Sequence, residues 1–233
     1  MRIRSKGLRH VALLSWGASV LPFLGVDPLA AALTLAEAVY AVFLFDKIQP
    51  KLVARRIGIR DVAISLPLLA PLALLNNYFA VVPSAAFLAA ALIAAYSGRP
   101  GWGNALGTGF VASLSIIWGY ANGAYTPLPQ ALWTAYAFAE ALYVEYKAPF
   151  REFHKRAPLA AWIAGVAAAA PFIAAPFFLA PLVEPTVRYA APGPKLSSPR
   201  EMASLGRSLM KRTLLFFTLL TIATLLAKFL YFI

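Results

Sequence analysis

The run Ala157–Pro185, APLAAWIAGVAAAAPFIAAPFFLAPLVEP, is apolar almost throughout and is cut by Pro171, Pro176 and Pro181. A helix needs about 20 residues at ~1.5 Å each to cross a ~30 Å hydrocarbon layer, so this run is unusually long for one crossing. Proline inside a helix removes a hydrogen bond and favours a kink or break. The run therefore reads either as one long span or as two short helices joined near Pro171. Two helices of about 13 residues would reach only ~20 Å each, and would have to be tilted, extended at their ends or partly re-entrant.

The rest of the chain bears on that choice. Apolar segments run approximately over 10–25, 28–45, 62–75, 78–96, 105–122, 128–146, 158–183 and 213–233, and 61% of all residues are apolar. The expected class is an all-α, polytopic membrane bundle forming a single integral membrane domain over 1–233. A multi-pass protein of the cell membrane is implied. The apolar segment near Met1 is followed by another apolar run, not by a small-residue cleavage site, so no cleavable signal peptide is expected.

Charge in the connections gives the orientation. The N-terminus (Arg2, Arg4, Lys6, Arg9) is basic, as are 46–61, 97–104, 147–157 and 184–212. The connections GVDP (25–28), NNYF (76–79) and GAYTPLP (123–129) are almost free of charge. Basic and neutral connections alternate, which places the N-terminus and the basic loops in the cytoplasm. With eight spans, 184–212 would fall outside, although it holds Arg188, Lys195, Arg200, Arg207, Lys211 and Arg212 against two acids. Splitting 158–183 into two helices gives nine spans and returns every basic loop to the cytoplasm. Nine spans is the reading adopted; eight, with one exception to the charge rule, is the alternative.

The net charge of +12 lies in these short loops and is not a nucleic-acid signature. Cysteine is absent, which removes disulfides, thiolate metal sites and cysteine nucleophiles together. His10 and His154 both sit at the cytoplasmic edge, so a haem held by two buried histidines is not expected. No H-E-x-x-H, Walker loop or nucleophile elbow occurs. The sequence SSPRE (197–201) reads as a helix start, with Ser198 as cap and Pro199 in the first position. A short amphipathic surface helix should lead from there into the last span. Gly103/Gly107 and Gly119/Gly123 have the spacing that lets helices approach closely.

Two acids lie at depth. Glu37 is ~13 Å from the cytoplasmic end of the second span, and Glu140 ~10 Å above Lys147. A charge there costs several kcal/mol unless it is paired, protonated or facing water. Each is either a structural carboxyl or part of a ligand or proton pathway, and as a candidate catalytic pair they would act as buried bases in a shared cavity. At the mouths of the same helices a pattern repeats in FLFDKIQPKLVARR (43–56) and YVEYKAPFREFHKR (143–156). Each runs from an apolar helix through an acid and a lysine to a proline and then basic residues. Lys47, Lys51, Arg55, Arg56, Lys147 and Arg151 are the candidate phosphate ligands, arginine being especially suited to that group. Ordinary flanking charge is the other reading, in which Glu152 pairs with Lys155 or Arg156.

The layout of nine spans, with charged loops after the second and sixth helices, resembles the UbiA-type intramembrane prenyltransferases. That resemblance implies Mg²⁺ and an isoprenyl diphosphate held at those loops, with Asp46, Glu145 and Glu152 as the matching metal ligands. The family's first motif has several aspartates, whereas this chain offers Asp46 alone. A closer resemblance is to the YwiC-like membrane proteins. It is carried by RHVALLSWGASVLPFLG (9–25), NALGTGFVASLSIIWGYANG (104–123), ALYVEYKAPFRE (141–152) and PKLSSPREMASLGRSLMKRTLLFF (194–217). Val11 stands where that family has glycine, and the resemblance implies no activity.

Three functions are compatible with the sequence. One is a cytoplasm-facing cavity for an amphiphilic anion, an isoprenoid or lipid phosphate, with or without prenyl transfer. The others are a small secondary transporter and a non-catalytic subunit or assembly factor of a membrane complex. Membrane lipids, and a membrane-protein partner in the last case, are the expected associates.

Overall fold

The computed structural model describes residues 6–21, 25–53, 56–75, 77–123, 127–173 and 175–231. Among them the fold is entirely helical, without a strand. The α-helices are α1 (Lys6–Ser19), α2 (Pro28–Val53), α3 (Ile59–Ser65), α4 (Val82–Tyr96), α5 (Pro100–Ala121), α6 (Pro127–Lys147), α7 (Ala157–Ala169), α8 (Leu179–Ala190) and α9 (Pro199–Tyr231). Prolines mark many of the starts: Pro28, Pro100, Pro127 and Pro199 each open a helix, while Pro83 and Pro158 sit second. Proline lacks the N–H that has no partner at a helix start anyway, and its φ is already helical.

Prolines also set the irregular parts. Segment 62–75 was expected as one span. It is the short α3 followed by a 3-10 stretch, Leu66–Leu74, with Pro67 near its start and Pro71 inside it. The Ala157–Pro185 run is broken where its prolines are. Helix α7 ends at Ala169, short 3-10 turns cover Ala170–Phe172 and Pro176–Phe178, and α8 follows. The C-terminal region differs from expectation in the other direction. The amphipathic stretch after Pro199 and the last apolar segment form one continuous 33-residue helix, since nothing between them but Gly206 disfavours it.

Helix α5 is the centre of the bundle, packed mainly by α1, α4 and α6, and α6 in turn packs on α7. Small residues allow this. A Cβ on Gly165 of α7 would lie 2.3 Å from the Ala135 Cβ on α6, so only glycine admits that approach. The glycine pairs divide their roles. A Cβ on Gly103 would lie 3.6 Å from the α4 backbone at Ala95, whereas one on Gly107 would meet open space. On the α6–α9 side the core is aromatic. Tyr136 stacks on Phe216 with ring centroids 4.0 Å apart, and Trp133 and Trp162 complete the cluster.

The outer faces are apolar as well. Leu29, Leu33 and Phe43 of α2, Ile93 of α4, and Phe229 and Leu230 of α9 are all exposed. Among the described residues three helical stretches are long and apolar enough to cross a membrane, Pro28–Ile48, Tyr78–Tyr96 and Arg200–Leu230, and the apolar stretch Ala157–Phe172 is shorter. Exposed apolar stripes on such helices are compatible with a bilayer around them.

Candidate functional site

A cavity of about 820 Å³ lies between α2, α3 and the 3-10 stretch on one side and α4 and α5 on the other. That volume falls in the range of small-molecule sites, which typically occupy ~300–1,000 Å³. Leu44, Phe45 and Ile48 of α2 face Gly103, Gly107 and Val111 of α5 across it. Leu44 and Ile48 are four residues apart on α2 with Phe45 beside them, and Gly103, Gly107 and Val111 follow at four-residue steps, so each set lies on one side of its helix. Gly107 leaves part of the volume open because it has no side chain. Val62, Leu66 and Leu69 beside α2, and Leu88 and Tyr96 of α4, line the cavity and are themselves exposed. The cavity thus opens sideways, through an apolar seam.

Its polar groups are few and gather near one end. Among the described residues Asp61 of α3 is the only charged one of the lining, with Ser65, Asn104 and Thr108 as further polar groups. The Lys51 ammonium donates to Asp61 Oδ1, and Gly58 N–H donates to Oδ2 at 3.0 Å. Asp61 is the third residue of α3, so its charge also faces the positive end of the helix. The Lys51 hydrogen bond and then the Gly58 amide hold this carboxyl below the usual aspartate range. Ile57, Gly98 and Pro100 close that end. Their loops carry Arg56 and Arg99, and the first turn of α3 carries Arg60, all exposed.

Asn104 links this end to the second basic mouth. Its side-chain amide donates to Glu145 Oε1 at 3.1 Å, and Arg151 Nε lies 3.2 Å from Glu145 Oε2. Lys147 is buried in the α6 terminus, where it donates to the Pro194 carbonyl at 2.7 Å and lies against the Tyr143 and Tyr146 rings. Lys47 and Arg56 are exposed, Glu152 is exposed, and Arg55 lies outside the described residues. Asp46 pairs with Arg9 of α1. Among the described residues no three carboxylate or histidine side chains gather as a metal site. Asp46 is thus tied to Arg9, Glu145 to Asn104 and Arg151, and Glu152 stands exposed, so the three do not present together the several hard oxygens a Mg²⁺–diphosphate cluster needs.

The two deep acids are in different places, and neither lines the cavity. Glu140 of α6 pairs with Arg188 of α8 and accepts from Tyr189 Oη at 2.8 Å. Arg188 is buried under the Tyr136, Tyr143 and Tyr189 rings, its guanidinium carbon 4.7–5.9 Å from their centroids. Glu184 joins from one turn earlier, with Arg188 Nε 3.1 Å and Arg212 Nη1 3.0 Å from its Oε1. Glu37 lies instead in the α2–α5 interface beside Trp118. The shared Glu37–Glu140 cavity expected from the sequence is therefore two unrelated sites.

Asp61, Asn104, Arg188 and Trp118 are the residues that sequence reasoning passed over. Asp61 had a local signal, an acid in the first turn after Gly58. Arg188 had one too, as the partner of Glu184 at helical spacing. Asn104 and Trp118 act through neighbours on other helices and had none.

No family model, no curated protein and no solved structure matches this chain.

Proposed function

We propose that the chain is a multi-pass membrane protein of nine spans, with its N-terminus and basic loops in the cytoplasm. In this reading the α2–α5 cavity receives an amphiphilic anion, an isoprenoid or lipid phosphate. The observation that carries it is the form of the cavity: a large apolar volume opening sideways between exposed apolar side chains, with its polar end beside basic loops. Lys51 pairs with Asp61, and the exposed Arg56, Arg60 and Arg99 neighbour the lining residues Ile57, Asp61 and Gly98 in sequence, a surplus of positive charge that suits a negative headgroup. An apolar tail would lie along Leu44, Phe45, Ile48 and Val111 and reach the open space at Gly107.

The layout is the one on which the UbiA-type resemblance rests, while the YwiC-like resemblance rests on four sequence stretches. The sideways opening suits a substrate that arrives from the lipid phase. Binding is what the residues support. Because the carboxylates do not gather a Mg²⁺ set among the described residues, no transfer step is derived through a metal.

The test is the melting of the purified protein with geranylgeranyl diphosphate, with and without Mg²⁺. A ligand that binds only the folded state stabilises it by RT ln(1 + [L]/Kd), about 2.7 kcal/mol at a hundredfold excess over Kd. Stabilisation that does not require Mg²⁺ is expected. No shift under either condition would overturn the reading.

A further inference from the structure

Glu37 is the acid that this account of the cavity leaves unused. Its side chain is buried at 9% relative exposure, and neither carboxyl oxygen has a hydrogen-bond partner. Among the described residues the indole Nε1 of Trp118 on α5 is the one donor turned toward it, close enough to act on the carboxyl but short of good hydrogen-bond geometry. Trp118 belongs to an apolar cluster with Leu75, Leu114, Ile117 and Ala38, the residue next to Glu37. Among the described residues no lysine, arginine or histidine pairs with Glu37.

The next turn of the same interface makes the contrast. Thr34 Oγ1 donates to Asn122 Oδ1 at 3.0 Å, and Asn122 Nδ2 donates to Ser19 Oγ at 3.2 Å, so buried polar groups there are joined. The other deep acid, Glu140, has Arg188 and Tyr189. An ionised carboxylate without a partner in an apolar interface costs far more than a neutral carboxylic acid, and a buried charge that finds no partner takes up a proton instead.

Glu37 also shares a helix face with the cavity. Leu44, Phe45 and Ile48 follow it by seven, eight and eleven residues, and Trp118 precedes no cavity residue but follows Val111 by seven on α5. The Glu37–Trp118 contact is therefore about 10 Å beyond the cavity along the same seam, at the end where α2 and α5 close on each other.

We propose that Glu37 is a proton-binding site, carrying its proton while α2 is closed on α5 beside Trp118. Losing that proton to solvent would leave an uncompensated charge against Leu114 and Ile117 and would part the two helices there. The proton site and the cavity share one wall but are separable, because the first does not depend on any ligand in the second.

The experiment is infrared spectroscopy of the detergent-solubilised full chain, without ligand, comparing wild type, Glu37→Gln, Glu140→Gln and Gly107→Phe. A carboxylic-acid C=O band, distinct from the carboxylate bands, is expected in the wild type. It should be lost in Glu37→Gln and kept in the other two variants. Glutamine mimics the neutral acid, so Glu37→Gln should melt at or above the wild-type temperature. Absence of the band, or its persistence in Glu37→Gln, would overturn the proposal. So would a Na⁺-dependent rise in melting temperature that Glu37→Gln abolishes without any such band, since that assigns a metal cation to an ionised carboxylate. A failed ligand test in the cavity would leave these results untouched.

Discussion

Arg188 on α8 pairs with Glu140 on α6, 48 residues earlier, inside a cage of three tyrosine rings. This contact ties the helix that follows the proline break back to the core of the bundle. Guanidinium over aromatic faces is favourable in its own right, and more so when desolvated. The pair holds α8 in place; it is remote from the cavity, which it does not line.

Truncating one partner of that pair should be far worse than removing both. Glu140→Leu leaves a buried guanidinium with Glu184 as its remaining acid, and a cost of about 3–5 kcal/mol is expected. The double variant Glu140→Leu/Arg188→Met should recover a large part of it, because well-packed apolar groups commonly replace buried ion pairs at little cost. Denaturation of the four proteins in a double-mutant cycle checks this, and additive losses would contradict it.

Gly107→Phe should fill the cavity without disturbing the fold. A Cβ at Gly107 meets nothing within 4 Å, and replacing glycine within a helix gains roughly 0.5 kcal/mol or more of propensity. Unchanged or higher intrinsic melting, with stabilisation by geranylgeranyl diphosphate abolished, is the expected pair of results. Undiminished ligand stabilisation would place the ligand elsewhere.

The start of α9 should loosen in acid. Ser198 Oγ accepts from Glu201 N–H at 3.2 Å, and Glu201 Oε2 accepts from Ser198 N–H at 3.3 Å and Ser197 N–H at 2.7 Å. These bonds, the Ser197 amide first, hold the Glu201 carboxyl below its usual range. A depressed carboxyl stabilises the fold above the unfolded value, about 4.3, and the contribution is lost as pH falls through the folded value. Amide exchange at the first turn of α9 should quicken in that acid window. In Glu201→Gln it should depend less on pH.

The orientation is open to direct labelling, because the chain has no cysteine of its own. Single cysteines at Arg99 and Lys155 should react only with reagent reaching the cytoplasmic face. Those at Asp27 and Tyr78 should react only from the other side. Any of the four labelling from the opposite face would break the nine-span arrangement.

Local chemistry was the readable part of this fold. Pro171 and Pro176 announce the break between α7 and α8, and SSPRE announces the start of α9 with its cap, because these effects act within one turn of the chain. The site was read less well. The cost of a charge at that depth indicates that Glu37 and Glu140 turn inward, but not what each meets. Their partners, Trp118 and Arg188, stand on other helices. The cavity itself depends on Gly107 facing a gap and Gly103 facing a backbone, a difference between two glycines that look alike in the sequence.

The central claim is that an amphiphilic anion occupies the space between α2 and α5. It is tested most directly by photo-crosslinking with a benzophenone-tailed isoprenyl diphosphate in membranes, followed by peptide mapping. Adducts concentrated at Leu44–Ile48 and Gly103–Val111, competed by unlabelled geranylgeranyl diphosphate and lost in Gly107→Phe, are the predicted result. Adducts spread over the outer faces of α2, α4 and α9, without competition, would contradict it.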